Sequence, residues 1–208
     1  MDVYQRFVEQ VKHWIPATRV IVDAVRTLAY GTDASCYRLV PKVVLLLDNE
    51  TEVIKVLQLA ADFALPVTFR AAGTSLSGQA ITDSILIKLT SQWRDYQLLQ
   101  DGQLIQLQPG LIGARVNQIL APLQRKIGPD PASINTCKIG GIAANNASGM
   151  CCGTAQNSYS TLAAMRIILA DGTVLDTACE QSKAEFRSSH KHLLHELGQL
   201  AKETQQNA

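Results

Sequence analysis

The first ninety residues alternate between short apolar runs and amphipathic stretches, a pattern typical of an α/β domain. Three β-branched or leucine-rich runs are short enough to be buried strands: 43–47, 67–69 and 85–89. Between the first two, apolar side chains recur at helical spacing on a face formed by Val53, Ile54, Leu57, Ala60, Ala61 and Ala64. Asn49 is placed to cap this helix, with Glu52 completing a variant of the capping box. The pattern therefore predicts a strand–helix–strand crossover unit of a parallel sheet. A loop then follows the strand at 67–69 and leads to the strand at 85–89.

Later in the chain, turn residues are the stronger signal. Asp-Gly pairs at 101–102 and 171–172 each separate two short apolar stretches, which predicts two hairpins, since Asp-Gly readily adopts the positive φ angles of a tight turn. Helical spacing predicts helices over 2–14 and around 114–123, a helix-like stretch at 140–147, and a helical tail from about Ser182, capped with the help of Glu185.

Two segments, 70–79 and 139–149, are dense in Gly, Ala and Ser and poor in bulk. Small residues let backbone N–H groups approach an anion closely. The first segment has the glycine spacing of a Walker A loop, but Gln79 and Ala80 stand where that loop needs Lys and then Ser or Thr. It also lacks the Gly-x-Gly-x-x-Gly pattern of a Rossmann fold. Together the segments predict two walls around one long phosphate-bearing cofactor; an ordinary Gly/Ser turn is the alternative for the first alone.

Composition narrows the class of protein. The chain has 208 residues, 47% hydrophobic and 18% charged, which is ordinary for a soluble globular domain. A net charge of +1 gives no field suited to nucleic acid. The longest apolar run, 43–47, is far shorter than the roughly 20 residues of a spanning helix. Five scattered cysteines match neither a disulfide framework nor an iron–sulfur ligand run, so we expect small packed thiols.

Four further side chains carry alternative interpretations. Arg70, where strand meets loop, either neutralises a phosphate or forms a structural salt bridge, and Lys138, before the Gly-Gly pair, has the same two interpretations with the structural one favoured. His192 and His195 share a helix face but lack an acidic or cysteine partner at ligand spacing, so we expect a solvated face and no metal site. No residue of this chain is predicted to be catalytic.

Four blocks in the same order resemble a known family. They are 37–44, 66–80, 126–135 and 139–159, and the resemblance extends over about residues 30–178. They are similar to the FAD-binding (PCMH-type) domain of the vanillyl-alcohol-oxidase and p-cresol-methylhydroxylase superfamily. Within it, the chain most resembles the long respiratory D-lactate dehydrogenases, which carry FAD and, further along, an iron–sulfur region.

The resemblance implies an α/β (α+β) fold: a two-lobed PCMH-type domain with FAD between the lobes. It implies a helical lead-in over 1–35, the FAD-binding domain over 36–178 with a lobe boundary near 90, and a helical segment over 179–208 that leads towards a cap domain. Carried over to this sequence, the first wall would consist of Arg70, Ala72, Gly73, Thr74, Ser75, Leu76, Ser77 and Gly78. The second wall would consist of Ser133, Gly140, Gly141, Asn145, Ser148 and Gly149.

The residue at one position of the first loop predicts whether the flavin is bound covalently. Some relatives bond flavin covalently through a His in the first loop, whose place here is taken by Thr74, so we expect noncovalent FAD. An iron–sulfur cluster is expected only in a C-terminal region absent from this chain, if at all.

The resemblance implies the FAD-binding portion of an FAD-dependent D-2-hydroxy-acid dehydrogenase. The expected reaction is D-lactate to pyruvate with an acceptor other than NAD. Since relatives carry their substrate-binding and catalytic residues in a cap domain after this segment, we expect a fragment inactive alone. The alternatives are a free-standing flavin-binding subunit, or a fragment of a D-2-hydroxyglutarate or glycolate dehydrogenase. We expect a cytoplasmic protein, with peripheral attachment of the full-length protein to the inner face of the membrane left open, and no nucleic-acid partner.

Overall fold

The computed structural model describes residues 1–206. These residues form two compact units, Met1–Leu162 and a second that begins at Ala163. The helices are α1 (Val3–Lys12), α2 (Ala24–Ala29), α3 (Glu50–Asp62), α4 (Gly113–Leu120), α5 (Ile139–Ala144), α6 (Ser158–Thr161), α7 (Glu180–Ser189) and α8 (Lys191–Gln206). The strands are β1 (Val20–Ile21), β2 (Val43–Leu47), β3 (Val67–Arg70), β4 (Ile85–Leu89), β5 (Tyr96–Leu99), β6 (Leu104–Leu107), β7 (Arg166–Ile168) and β8 (Val174–Asp176). The predicted boundaries at 35, 90 and 178 stay predictions.

The first unit contains one four-stranded sheet in the order β1-β2-β4-β3. β4 lies between β2 and β3 and is parallel to both, with Ile85 opposite Val43 on one side and Val67 on the other. β1 pairs antiparallel with β2. The β2–α3–β3 crossover that the apolar runs predict is confirmed, and the first glycine-rich segment joins β3 to β4.

The core lies around the two inner strands, because β2 and β4 are buried over most of their length. α1 contributes Phe7, whose ring meets that of Phe63 edge-on with centroids 6.0 Å apart. α3 buries the face formed by Val53, Val56, Leu57 and Ala60. The predicted face was partly wrong: Val56 replaces Ala61 and Ala64, which are exposed.

Asn49 caps α3 as predicted, since its side chain accepts a hydrogen bond from the Glu52 N–H at 3.0 Å. The capping box is not formed. Glu52 instead accepts from the Asp48 N–H at 2.7 Å and binds the Arg19 guanidinium through both carboxylate oxygens, at 2.7 and 2.9 Å. Arg19 also contacts Asp48 at 2.9 Å. This group ties the segment before β1 to the start of α3.

Both predicted hairpins form. β5 and β6 are joined by a turn in which Gln100, Asp101 and Gly102 all have positive φ, at 50°, 53° and 77°. β7 and β8 are joined by a turn in which Gly172 has a φ of 85°. Helix α4 starts at Gly113 and continues into a short 3-10 turn, Ala121–Leu123, so the helix predicted around 114–123 is confirmed.

The helical tail begins earlier than predicted. α7 starts at Glu180 after Cys179, whose side chain makes no capping hydrogen bond. The Ser182 hydroxyl accepts from the Asp176 N–H at 3.0 Å and so is not available for a capping box with Glu185. α8 follows after a break at His190, and its residues Leu193, Leu197 and Leu200 are exposed. Within residues 1–206, no helix combines the length and hydropathy needed to cross a bilayer.

Candidate cofactor-binding site

The first glycine-rich segment, residues 70–79, begins at the last residue of β3, at the carboxyl edge where parallel sheets commonly bind ligands. Gly73 and Gly78 have φ angles of +74° and +71°, a conformation that disfavours any residue with a Cβ. An added Cβ at Gly78 would lie 3.0 Å from the ring of Tyr37. The two glycines therefore let the loop turn where a residue with a Cβ would be strained.

The middle of this loop offers unused hydrogen-bond donors. Within residues 1–206, the backbone N–H groups of Gly73, Thr74, Ser75 and Leu76 donate to no protein atom. The carbonyl of Gly73, in contrast, accepts from the Ala34 N–H at 3.0 Å. Four successive amides left open in a fixed loop resemble the backbone nests that bind anions. The structure thus brings together the donors that the small residues predicted.

Hydrogen bonds within the loop hold its shape. Ser75 Oγ donates to Gln79 Oε1 at 2.9 Å and accepts from the N–H of Ser77 at 3.2 Å. Asp33 accepts from the N–H groups of Ser35 and Ala80, at 2.9 and 3.4 Å. Partial burial raises the pKa of Asp33, but these hydrogen bonds outweigh it and leave the pKa below its ordinary value. Asp33 is therefore an ionised anchor for the end of the loop, and local sequence pattern gave no signal for it.

Arg70 lies behind the loop. Its Nη1 donates to the carbonyls of Thr32 and Tyr30, at 2.7 and 3.3 Å. A Cβ added to Gly73 would lie 2.5 Å from Nη2 of the same guanidinium. Arg70 thus joins the loop to residues 30–32, a structural role that differs from both a phosphate contact and a salt bridge. A phosphate contact by Arg70 stays a prediction.

The second wall meets the first directly. A Cβ added to Gly141 would lie 3.2 Å from the Cβ of Ala71, so the start of α5 packs against the start of the first loop. The Gly141 N–H donates to no described residue, whereas the N–H of Gly140 donates to the Pro109 carbonyl at 3.0 Å. Gly140 is required because a Cβ there would lie 2.8 Å from Pro109. Of this glycine pair, Gly141 is therefore the one whose amide can donate to a ligand.

The remaining predicted residues lie along the same segment. Gly149 passes so close to Asp130 that an added Cβ would overlap the Asp130 carbonyl. Asn145 and Ser148 are exposed, and their side chains bond to no described residue. Ser133 is half-buried, and its carbonyl accepts from the N–H groups of Thr136 and Cys137. Whether each of these contacts the cofactor stays a prediction.

One buried hydroxyl, which the sequence did not single out, fixes this segment. Ser158 Oγ lies 3.0 Å from the Ile142 carbonyl and 2.9 Å from the Ala147 carbonyl, so its single proton is shared between these two acceptors. Ser158 begins α6, which is capped by Asn157. A short helix thus closes the turn of the second wall.

Three cations lie near the two walls, and the sequence pattern singled out Lys138 but not Lys88 or Arg94. Lys88 is opposite Arg70 in the β3–β4 register, and its Nζ lies 5.3 Å from the centre of the Tyr30 ring. Burial lowers the pKa of Lys138, and the nearby charges of Lys88 and Arg94 lower it further. The sequence did offer a signal for Lys88, since it is the one charged residue of an otherwise apolar strand.

These features define a mixed helix-and-sheet domain, and known structures share its fold. The chain is similar to alkyldihydroxyacetonephosphate synthase, with a TM-score of 0.69, 17% identity, and coverage of 83% of this chain and 38% of that one. It is also similar to chitooligosaccharide oxidase, with a TM-score of 0.68, 16% identity, and coverage of 88% and 38%. At these identities the similarity shows the fold, which is the PCMH type.

The family model described as "FAD binding domain" matches residues 41–178. The chain belongs to this family, and the resemblance found in the sequence is confirmed.

Named relatives are longer proteins. Glycolate oxidase subunit GlcD of Escherichia coli (strain K12) is 29% identical over 145 residues, 68% of this chain and 29% of the relative. D-2-hydroxyglutarate dehydrogenase of Haemophilus influenzae is 26% identical over 190 residues, 85% and 18% respectively. D-lactate dehydrogenase [cytochrome] 1, mitochondrial, of Saccharomyces cerevisiae is 31% identical over 146 residues, 66% and 24%. The chain therefore spans less than a third of the length of each of these relatives.

Proposed function

We propose that this chain is the FAD-binding portion of an FAD-dependent dehydrogenase or oxidase of D-2-hydroxy acids. The observation that carries the proposal is the meeting of the two small-residue walls at Ala71 and Gly141, next to four open backbone amides. Membership of the FAD binding domain family supports it.

The residues present fit FAD. A diphosphate needs several hydrogen-bond donors that approach without side chains in the way, and Gly73 to Leu76 supply them. The Thr74 hydroxyl and the Gly141 N–H add donors on the two sides. The exposed side chain of Leu76 offers apolar surface beside those amides. These groups would hold the middle of an elongated dinucleotide between the walls.

When bound, FAD supplies the acceptor for a hydride equivalent from C2 of the hydroxy acid. The work of this chain is to position it. Arg70 and Asp33 fix the two ends of the first loop, and Ser158 fixes the second wall. Since these contacts are all formed within the protein, they hold the amides in a fixed orientation, which reduces the entropy cost of association.

For the substrate we propose D-lactate, on the family resemblance of blocks such as 126–135. The names of the relatives support two other acids, glycolate and D-2-hydroxyglutarate. The word "subunit" in the name of GlcD favours a second possibility, a flavin-binding subunit that works with a separate catalytic partner. In either case we propose that turnover requires residues outside this chain, that the acceptor is not NAD, and that the assembled protein works in the cytoplasm.

The test is flavin binding by the chain itself. We expect quenching of FAD fluorescence with 1:1 stoichiometry, weaker binding of FMN, and no reduction of dye by D-lactate. After denaturation and precipitation, the yellow colour should stay in the supernatant, because Thr74 cannot form the covalent bond of a His. Equal binding of FAD and FMN, or no binding of either, would refute the proposal.

A further inference from the structure

Three basic side chains that lie near the two walls lack an acidic partner. Within residues 1–206, no carboxylate lies at ion-pair distance from Lys88, Arg94 or Lys138. Arg70, next to Lys88, differs from them: it donates to two carbonyls and lies near enough to Asp33 to help lower the pKa of that carboxyl. The three others therefore have no carboxylate to neutralise their charge, although the Lys88 ammonium lies over the Tyr30 ring and Arg94 is exposed to solvent.

The backbone places these cations at the junction of the two walls. Lys88 is on the carboxyl half of β4, opposite the last residue of β3, from which the first loop departs. Lys138 directly precedes α5, its backbone paired with Ile112, and α5 carries the Gly141 that touches Ala71. Arg94 is held near the second wall through its neighbour Trp93. The Trp93 carbonyl accepts a hydrogen bond from the Gly110 N–H at 2.9 Å, and the adjacent Pro109 packs on Gly140.

Keeping these charges close to one another costs free energy. Lys138 is half-buried, so its ammonium has lost part of its hydration, and the charges of Lys88 and Arg94 oppose its own. Like charges that persist without a partner are typical of a site built for an anion. A dianion would offset more of the repulsion than the single charge of a substrate carboxylate.

We propose that Lys88, Arg94 and Lys138 bind the diphosphate of FAD and select FAD over flavins without a diphosphate. The proposal rests on the proposed function, and it adds three cationic side chains to a site otherwise formed by backbone amides. The four open amides from Gly73 to Leu76 would supply hydrogen bonds, and the cations would supply charge, a combination that makes strong phosphate sites.

The test compares Lys138→Met and Lys88→Met with Lys42→Met. Lys42 is an exposed lysine directly before β2, at the amino end of the parallel strands, whereas the first loop departs from their carboxyl end. Its replacement changes the net charge equally. Binding of FAD and of riboflavin is measured by fluorescence titration at several salt concentrations, with folding checked by circular dichroism. Loss of a charged hydrogen bond predicts a rise in the FAD dissociation constant of about tenfold or more, and a weaker salt dependence. Riboflavin binding and the Lys42 variant should be unchanged.

A second measurement uses the unaltered chain. Inorganic pyrophosphate should protect Lys138 and Lys88, but not Lys42, from an amine-acylating reagent, as read by mass spectrometry. The inference is wrong if FAD binds the unaltered chain but both variants bind it equally well, or if pyrophosphate protects neither lysine. Failure of the unaltered chain to bind FAD would instead refute the proposed function.

Discussion

Replacing Gly73 by Ala tests whether Arg70 and the first loop act as one unit. Gly73 has a φ of +74°, and a Cβ would meet the Arg70 guanidinium at 2.5 Å. The side chain can move aside only by giving up its hydrogen bonds to the Thr32 and Tyr30 carbonyls. Gly153 is the matched control, because its φ is +54° and an added Cβ there meets nothing within 4 Å.

The two variants separate backbone strain from side-chain displacement. A left-handed φ costs an Ala about 1 kcal/mol, which both variants share. Loss of hydrogen bonds from a charged donor adds roughly 1.5–2 kcal/mol, which applies to Gly73→Ala alone. We therefore expect melting temperatures about 2–4 °C lower for Gly153→Ala and about 5–12 °C lower for Gly73→Ala.

Thermal denaturation followed by circular dichroism measures the first effect, and FAD titration measures a second. Displacing Arg70 reorients the amides from Gly73 to Leu76, so FAD should bind Gly73→Ala about tenfold more weakly or worse, with Gly153→Ala unaffected. Equal destabilisation of both variants, together with unchanged FAD affinity, would refute the coupling of Arg70 to the loop.

Three further predictions concern residues around the site. Ser158→Ala should lower the free energy of unfolding in urea by about 0.5–1.5 kcal/mol, since the buried hydroxyl's hydrogen bond is lost while both carbonyls keep a backbone donor, whereas exposed Ser160→Ala should change it by less than about 0.5. Arg19→Met should cost about 2–3 kcal/mol in the same assay, because Asp48 and Glu52 are left without their cation; a loss below about 0.5 would contradict this. Burial raises the pKa of Glu52, but the Arg19 hydrogen bond and others lower it below its ordinary value of about 4.3. The ionised Glu52 carboxylate therefore stabilises the fold fully above that value, and this stabilisation is lost as pH falls through the folded pKa. Glu52→Gln should reduce this pH dependence of the free energy of unfolding in acid titrations.

The local sequence pattern correctly predicted the strands of the parallel sheet and the cap of α3. The runs that became β2, β3 and β4 are apolar because they lie in or beside the buried centre of a parallel sheet, and Asn49 caps through a contact only three residues away. β1 has two residues and α2 six, too short for any periodicity to indicate. The Arg19–Glu52 pair joins residues 33 apart in sequence, so no local spacing reveals it.

The site was predictable to a similar degree. Small residues indicated both walls, but the Ala71–Gly141 contact depends on how the chain packs over seventy residues. Which amides stay open also depends on packing: Gly140 and Gly141 look alike in sequence, yet Pro109 occupies only the amide of Gly140. The same holds for Asp33 and Ser158, whose partners are distant backbone groups.

The strand order has a consequence for how the molecule is assembled. β4 leaves the ribosome after β2 and β3, yet it lies between them. The two earlier strands have no direct ladder and wait for a third to be inserted, a non-local event that slows folding. The first loop is the connection that carries β4 into place, so the nucleotide cradle takes shape in the same step that closes the sheet. A nascent chain stopped before residue 85 would contain the whole loop sequence and still have no ordered cradle.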